Sequence, residues 1–93
     1  MVIGICSIDL HFPESGSLKS KRQYLRRIKD RIKNNFNVSI AEVENNDLWQ
    51  RTTVGIAVVA NNKRFANEVL SQVVKQITSE NGVTVLDYSI EIL

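Results

Sequence analysis

Hydrophobic and polar positions alternate from the second residue onward. Val2, Gly4, Cys6, Ile8, Leu10 and Phe12 share one parity, and Ile3, Ile5, Ser7, Asp9 and His11 the other. That period of two predicts a strand of about ten residues with one apolar face. Pro13-Glu14-Ser15-Gly16-Ser17 breaks it, and Ser17 offers an N-cap hydroxyl to the segment that follows. From residue 18 to 36 the period changes. At 100° per residue, Leu18, Leu25, Ile28, Ile32 and Phe36 fall within a sector about 80° wide, the pattern of an amphipathic helix docked by one stripe.

Residues 37–43 return to strand character, with Val38 and Ile40 on one face, and Glu44-Asn45-Asn46-Asp47 reads as a turn. Residues 50–60 are rich in β-branched side chains and place Val54, Ile56 and Val58 on a core face. Asn61-Asn62 caps a second helix whose stripe is Phe65, Ala66, Val69, Leu70, Val73, Val74 and Ile77, and Asn81-Gly82 ends it. In the last strand, residues 83–93, Leu86, Tyr88, Ile90 and Ile92 alternate with Asp87, Ser89 and Glu91. Strand, helix, strand, strand, helix, strand is the order of two split βαβ halves. It predicts an α+β, ferredoxin-like βαββαβ sandwich, a four-stranded antiparallel sheet with two helices on one face, as a single domain over residues 1–93.

Composition agrees with a folded chain: 43% hydrophobic and 24% charged residues leave no disordered or fibrous class open. No apolar run approaches the roughly 18 residues a membrane span needs, and the N-terminus has neither a basic leader nor a small-residue cleavage site, so the expected location is cytoplasmic. A lone cysteine, Cys6, fits a reducing compartment and forms no internal disulfide.

Charge changes the picture. The 18–36 segment holds Lys19, Lys21, Arg22, Arg26, Arg27, Lys29, Arg31 and Lys33 against Asp30 alone. It carries a formal +7 in a chain whose net is +2, so the remainder carries −5. A dense single-sign face attracts anions such as phosphate backbones. Two features set it apart from a merely solvated helix. Lys19, Lys21 and Arg22 lie in the first turn, where the helix dipole is already positive. Lys21 also falls inside the apolar sector, about 20° from Ile28 and Ile32, where a charged ammonium must either snorkel out or meet a carboxylate such as Asp9, Glu14 or Glu42. Either route brings it near the Ser15-Gly16-Ser17 loop, whose free amides and neighbouring cations make an expected anion seat.

Candidate chemistry is sparse. Cys6 and His11 lie five apart on one strand and so face opposite sides, Cys6 reading as a buried small hydrophobe and His11 as a strand-end surface residue. Glu42 with Glu44, and Asp87 with Glu91, share strand parity, but no nucleophile or metal-ligand spacing accompanies them. The expectation is a non-catalytic protein with no cofactor and no metal. The open sheet face is expected to show Ile3, Ile5, Ser7 and Asp9 beside Arg51, Thr53, Gly55, Ala57 and Val59, small and half-apolar, a surface suited to self-association. Trp49 either plugs the end of the sandwich or, with Arg51, anchors a partner interface.

The stretches Ser17-Leu18-Lys19-Ser20-Lys21-Arg22, Phe36-Asn37-Val38-Ser39-Ile40-Ala41-Glu42-Val43 and Asp47-Leu48-Trp49-Gln50-Arg51 resemble the YlxP-like family of small bacterial proteins of unknown function, across essentially the whole chain. The resemblance implies a ferredoxin-like fold. It also implies an RNA or ribosome partner, because genes of that family often neighbour those of translation-initiation and ribosome-maturation factors. The reading that follows is an RNA- or ribosome-associated accessory protein. Lys19, Arg22, Arg26, Arg27, Lys29 and Lys33 neutralise phosphates, and Lys21 is counted with them as anchor of the loop end. The alternatives are a homo-oligomeric, dimeric interaction module that uses the open sheet and offers its basic face to an acidic protein, and a small-ligand sensor.

Overall fold

A computed structural model describes all 93 residues, Met1 to Leu93. Six elements follow in the expected order: β1 (Val2–His11), α1 (Leu18–Asn35), β2 (Ser39–Glu44), β3 (Arg51–Ala60), α2 (Lys63–Thr78) and β4 (Thr84–Ile92). The strands form one antiparallel sheet in the order β2-β3-β1-β4, so the two longest strands lie at its centre and β2 and β4 at its edges.

Each helix begins on a side-chain cap. Ser17 accepts from the Ser20 amide and Asn62 from the Phe65 amide, which satisfies one of the orphan donors at each N-terminus. Alternation along β1 sends Cys6, Ile8 and Leu10 under the helices, where they meet Val54, Ile56 and Val58 of β3, Leu25, Ile28 and Ile32 of α1, and Leu70, Val73 and Ile77 of α2. Each such side chain fully removed from water contributes about 1.5–3 kcal/mol. Gly4 permits a close approach of α2 to the sheet: a Cβ there would stand 2.9 Å from Leu70 Cδ1 and 3.3 Å from Ala66 Cβ.

Two bulges alter the simple alternation. In β4 the register shifts between Asp9 and Leu10, so that Val85 rather than Leu86 opposes Leu10. Val85 packs on the core and Leu86 is exposed, which corrects the expected face of Leu86; the extra residue of a bulge is absent from any strict period of two. In β2 the shift falls between Glu42 and Glu44 and leaves Val43 unpaired, lying over Gly55 on the open face. No helix is long and apolar enough to cross a membrane.

Candidate nucleic-acid interface

The site begins with Lys21, which enters the core side of α1 and is 1% exposed. Its ammonium sits 3.0 Å from Glu42 Oε2 and donates toward the carbonyls of Asn45 at 2.9 Å, Asn46 at 3.0 Å and Arg51 at 3.3 Å. Glu42 Oε2 in turn accepts from the Thr52 hydroxyl at 2.5 Å. A buried ammonium is tolerated only when its protons are satisfied and its charge is paired, and this shell does both. Of the three carboxylates within expectation, Glu42 is the one Lys21 meets. The residue is therefore corrected as a nucleic-acid contact: its donors are engaged and solvent does not reach it.

Lys21 also fastens the β2–β3 connection. Asn45 adopts a left-handed backbone, φ 63°, and its side-chain amide donates to Thr53 Oγ1, which itself donates to Asp9. From the far side, the Gln50 amide donates to the carbonyls of Pro13 and Ser15, while the Phe12 amide donates to the Gln50 carbonyl. Residues 45–51, the loop entering α1 and the first turn of α1 thus form one hydrogen-bonded unit. The three stretches that carried the family resemblance meet here, through Ser17, Lys21, Glu42 and Gln50.

The Ser15-Gly16-Ser17 seat needs amendment as well. Ser15 is buried and donates its hydroxyl to the Ser17 carbonyl, so it is not presented to an anion; Ser17 Oγ accepts from the Ser20 amide. Gly16 remains exposed and Ser17 half-buried. Arg27 donates to the Asn81 carbonyl at 2.8 Å and lies over the Tyr24 ring, itself stacked on Phe12. Arg31 pairs with the buried Glu80. These two arginines tie α1 to the end of α2, and Arg27 stays exposed while it does so.

What remains is narrower than the basic run and better ordered. Arg22, Arg26, Lys29 and Lys33 form no salt bridge, and their spacing of four, three and four places them in one line along the helix. Arg22, Arg26 and Lys29 line a groove of about 230 Å³ together with Leu25 and Glu42, so this part of the row runs beside edge strand β2. From Arg22 to Lys33 it spans about 16 Å at the helical rise. Lys19 is exposed in the first turn, which holds no acid.

Trp49 is 57% exposed, so it does not plug the sandwich, and Arg51 is exposed beside it in sequence. Gln50, which lies in a stretch of the family resemblance but has no site role there, holds this loop to the segment entering α1. Its chemistry is that of any exposed glutamine, and no period marks it. The open sheet face exposes Ile3, Ile5, Val43 and Val59, and a depression of about 450 Å³ on it is lined by Ile5, Ser7, Ala41, Val43, Gly55 and Ala57 among others. Cys6 lies on the buried side of β1, and burial pushes its thiol up to about 11.

Comparison with known proteins agrees with this architecture. The sequence pattern of DUF503, a family described as proteins of unknown function, matches residues 3–90. A curated relative from Bacillus subtilis (strain 168), the uncharacterized protein YlxP, is 41% identical over 78 residues, covering 84% of this chain and 85% of its own. Among solved structures, the solution NMR structure of a de novo designed protein with ferredoxin fold superposes with a TM-score of 0.54 at 11% identity. It covers all of this chain and 84% of its own, a likeness of fold alone.

Proposed function

The chain belongs to the DUF503 family, of unknown function, and we propose that it is an RNA- or ribosome-associated accessory protein that holds a phosphate backbone along α1. The observation that carries this reading is the line Arg22, Arg26, Lys29 and Lys33. These are cations that form no salt bridge, in register along one helix, while Lys21 and Arg31 of the same helix are paired with Glu42 and Glu80. Charges left unpaired in one row repel one another, and phosphates relieve that repulsion. At about 3.4 Å per stacked nucleotide, 16 Å of helix faces about five nucleotides. Lys19 extends the row at the N-terminal end.

Binding of this kind is largely independent of sequence and falls steeply with salt. Fluorescence anisotropy with a labelled single-stranded RNA, repeated between 50 and 200 mM salt as is usual for such tests, measures it directly. An affinity that stays flat across that range, or no binding at the lowest salt, removes the reading.

A second reading rests on a separate observation, the exposed Ile3, Ile5, Val43 and Val59 around the depression on the open sheet. An open half-apolar sheet favours self-association into a dimer, or the seating of a small ligand in that depression. Light scattering of Val59→Asp against the parent chain distinguishes them: loss of a dimer assigns the face to self-association, and a dimer that persists excludes it.

A further inference from the structure

Trp49 is the only tryptophan of the chain, and it is presented to solvent. Its backbone surroundings are fixed on both sides. Lys21 grips the carbonyls of Asn45 and Asn46 before it and of Arg51 after it, Gln50 is bound to Pro13 and Ser15, and the Leu48 amide closes a turn on the Asn45 carbonyl. The indole itself takes part in none of this. It has no hydrogen bond, no aromatic partner and no cation over its ring, since the aromatic pair is Phe12 with Tyr24 and the cation lies over Tyr24. A large aromatic on a clamped loop loses little freedom on binding.

The clamp also ties the backbone of this loop to the helix turn where the cationic line starts. The residue after Lys21 is Arg22, the first of that line, so a single side chain joins the tryptophan loop to the start of the phosphate-binding row. Between Asn45 and Arg51 the only acid is Asp47, and the adjacent helix turn contributes Lys19 and Arg22. An exposed aromatic on a loop tethered to the helix turn that starts a cationic row can stack an unpaired base while the row takes its phosphates.

We propose that the interface takes a single-stranded RNA segment, with its backbone along Arg22, Arg26, Lys29 and Lys33 and one unpaired base stacked on Trp49. This rests on the RNA reading above and adds a preference to it: a base held within a duplex cannot reach the ring, so single strands and loops are bound in favour of continuous helices.

The lone tryptophan is its own reporter. Anisotropy of a labelled RNA and the intrinsic emission of the protein are followed together, for a single-stranded 12-mer and for the same strand in duplex form. The parent chain is compared with Trp49→Ala, Trp49→Phe and the triple variant Arg22→Gln/Arg26→Gln/Lys29→Gln, each checked for folding by circular dichroism. Emission is expected to be quenched in step with single-strand binding and to change little with duplex. Trp49→Ala is expected to weaken single-strand binding about tenfold with the salt dependence intact, and Trp49→Phe to keep most of the affinity. The triple variant loses binding of both forms.

Saturable single-strand binding with unchanged emission and unchanged affinity in Trp49→Ala overturns the stacking and leaves the phosphate reading standing. Equal affinity and equal quenching by duplex overturn it as well. A Trp49→Ala protein that binds RNA normally but no longer crosslinks to a protein partner assigns the indole to protein docking instead. Absence of any anisotropy change overturns both proposals together.

Discussion

Lys21 and Glu42 stand 3.0 Å apart beneath the first turns of α1, and the same ammonium reaches three main-chain carbonyls of the β2–β3 connection. A helix and a loop more than 20 residues apart are joined by one positive charge. The pair is directional: the carboxylate offsets the charge, and the carbonyls fix where the loop can lie.

Replacing Lys21 by Met leaves Glu42 as an unpaired carboxylate and three carbonyls without their donor. The expected loss is about 3–5 kcal/mol, the range for breaking one side of a buried pair, which is a large share of the roughly 5–15 kcal/mol that stabilises a domain of this size. Urea unfolding measures it through the midpoint. Thr52→Val, which removes only the hydroxyl donating to Glu42, is expected to cost about 1–2 kcal/mol.

The row on α1 predicts a number as well as a trend. With four cations engaged on single-stranded RNA, the slope of log affinity against log salt is expected near −3, about −0.7 for each phosphate neutralised. Arg26→Gln lowers the magnitude of that slope by about 0.7 and leaves stability unchanged, because Arg26 has no partner in the fold. Arg31→Gln gives the contrasting result: it releases the buried Glu80 and lowers stability.

Gly4 is set by packing. An alanine there brings its Cβ to 2.9 Å from Leu70 Cδ1 and 3.1 Å from Val58 Cγ1, so α2 must shift or Leu70 must leave its rotamer. Overpacking of this kind costs about 1–3 kcal/mol. In a chain of 93 residues each kcal/mol lowers the melting temperature by about 4–8 °C. Thermal unfolding of Gly4→Ala checks it.

Cys6 makes a chemical prediction. Burial raises its thiol from an ordinary 9.0 to about 11 in the folded chain, so the folded state holds this proton more tightly than the unfolded one. The contribution to stability is present below pH 9 and is lost as the pH rises from about 9 to 11. In the native protein at pH 8, Cys6 is expected to resist iodoacetamide and to react fully once the chain is unfolded, as mass spectrometry shows directly.

The arrangement of elements was legible in the sequence because it rests on local periods. Alternation marked β1 and β3, the 3.6-residue stripe marked both helices, and Ser17 and Asn62 capped where their chemistry placed them. On the same helical wheel Lys21 stands on the wrong face for a free lysine, with Glu42 among the carboxylates within its reach. Other features depend on contacts between distant parts of the chain. The bulges at Val43 and Leu86 insert one residue against a neighbouring strand, which no single-strand period contains. The carbonyls around Lys21, the anchoring of Gln50, and the engagement of Arg27 by Asn81 and Arg31 by Glu80 arise only when segments dozens of residues apart are packed together. A basic sequence establishes that α1 is cationic; tertiary packing alone decides which of those charges the fold consumes and which, from Arg22 to Lys33, it leaves facing outward.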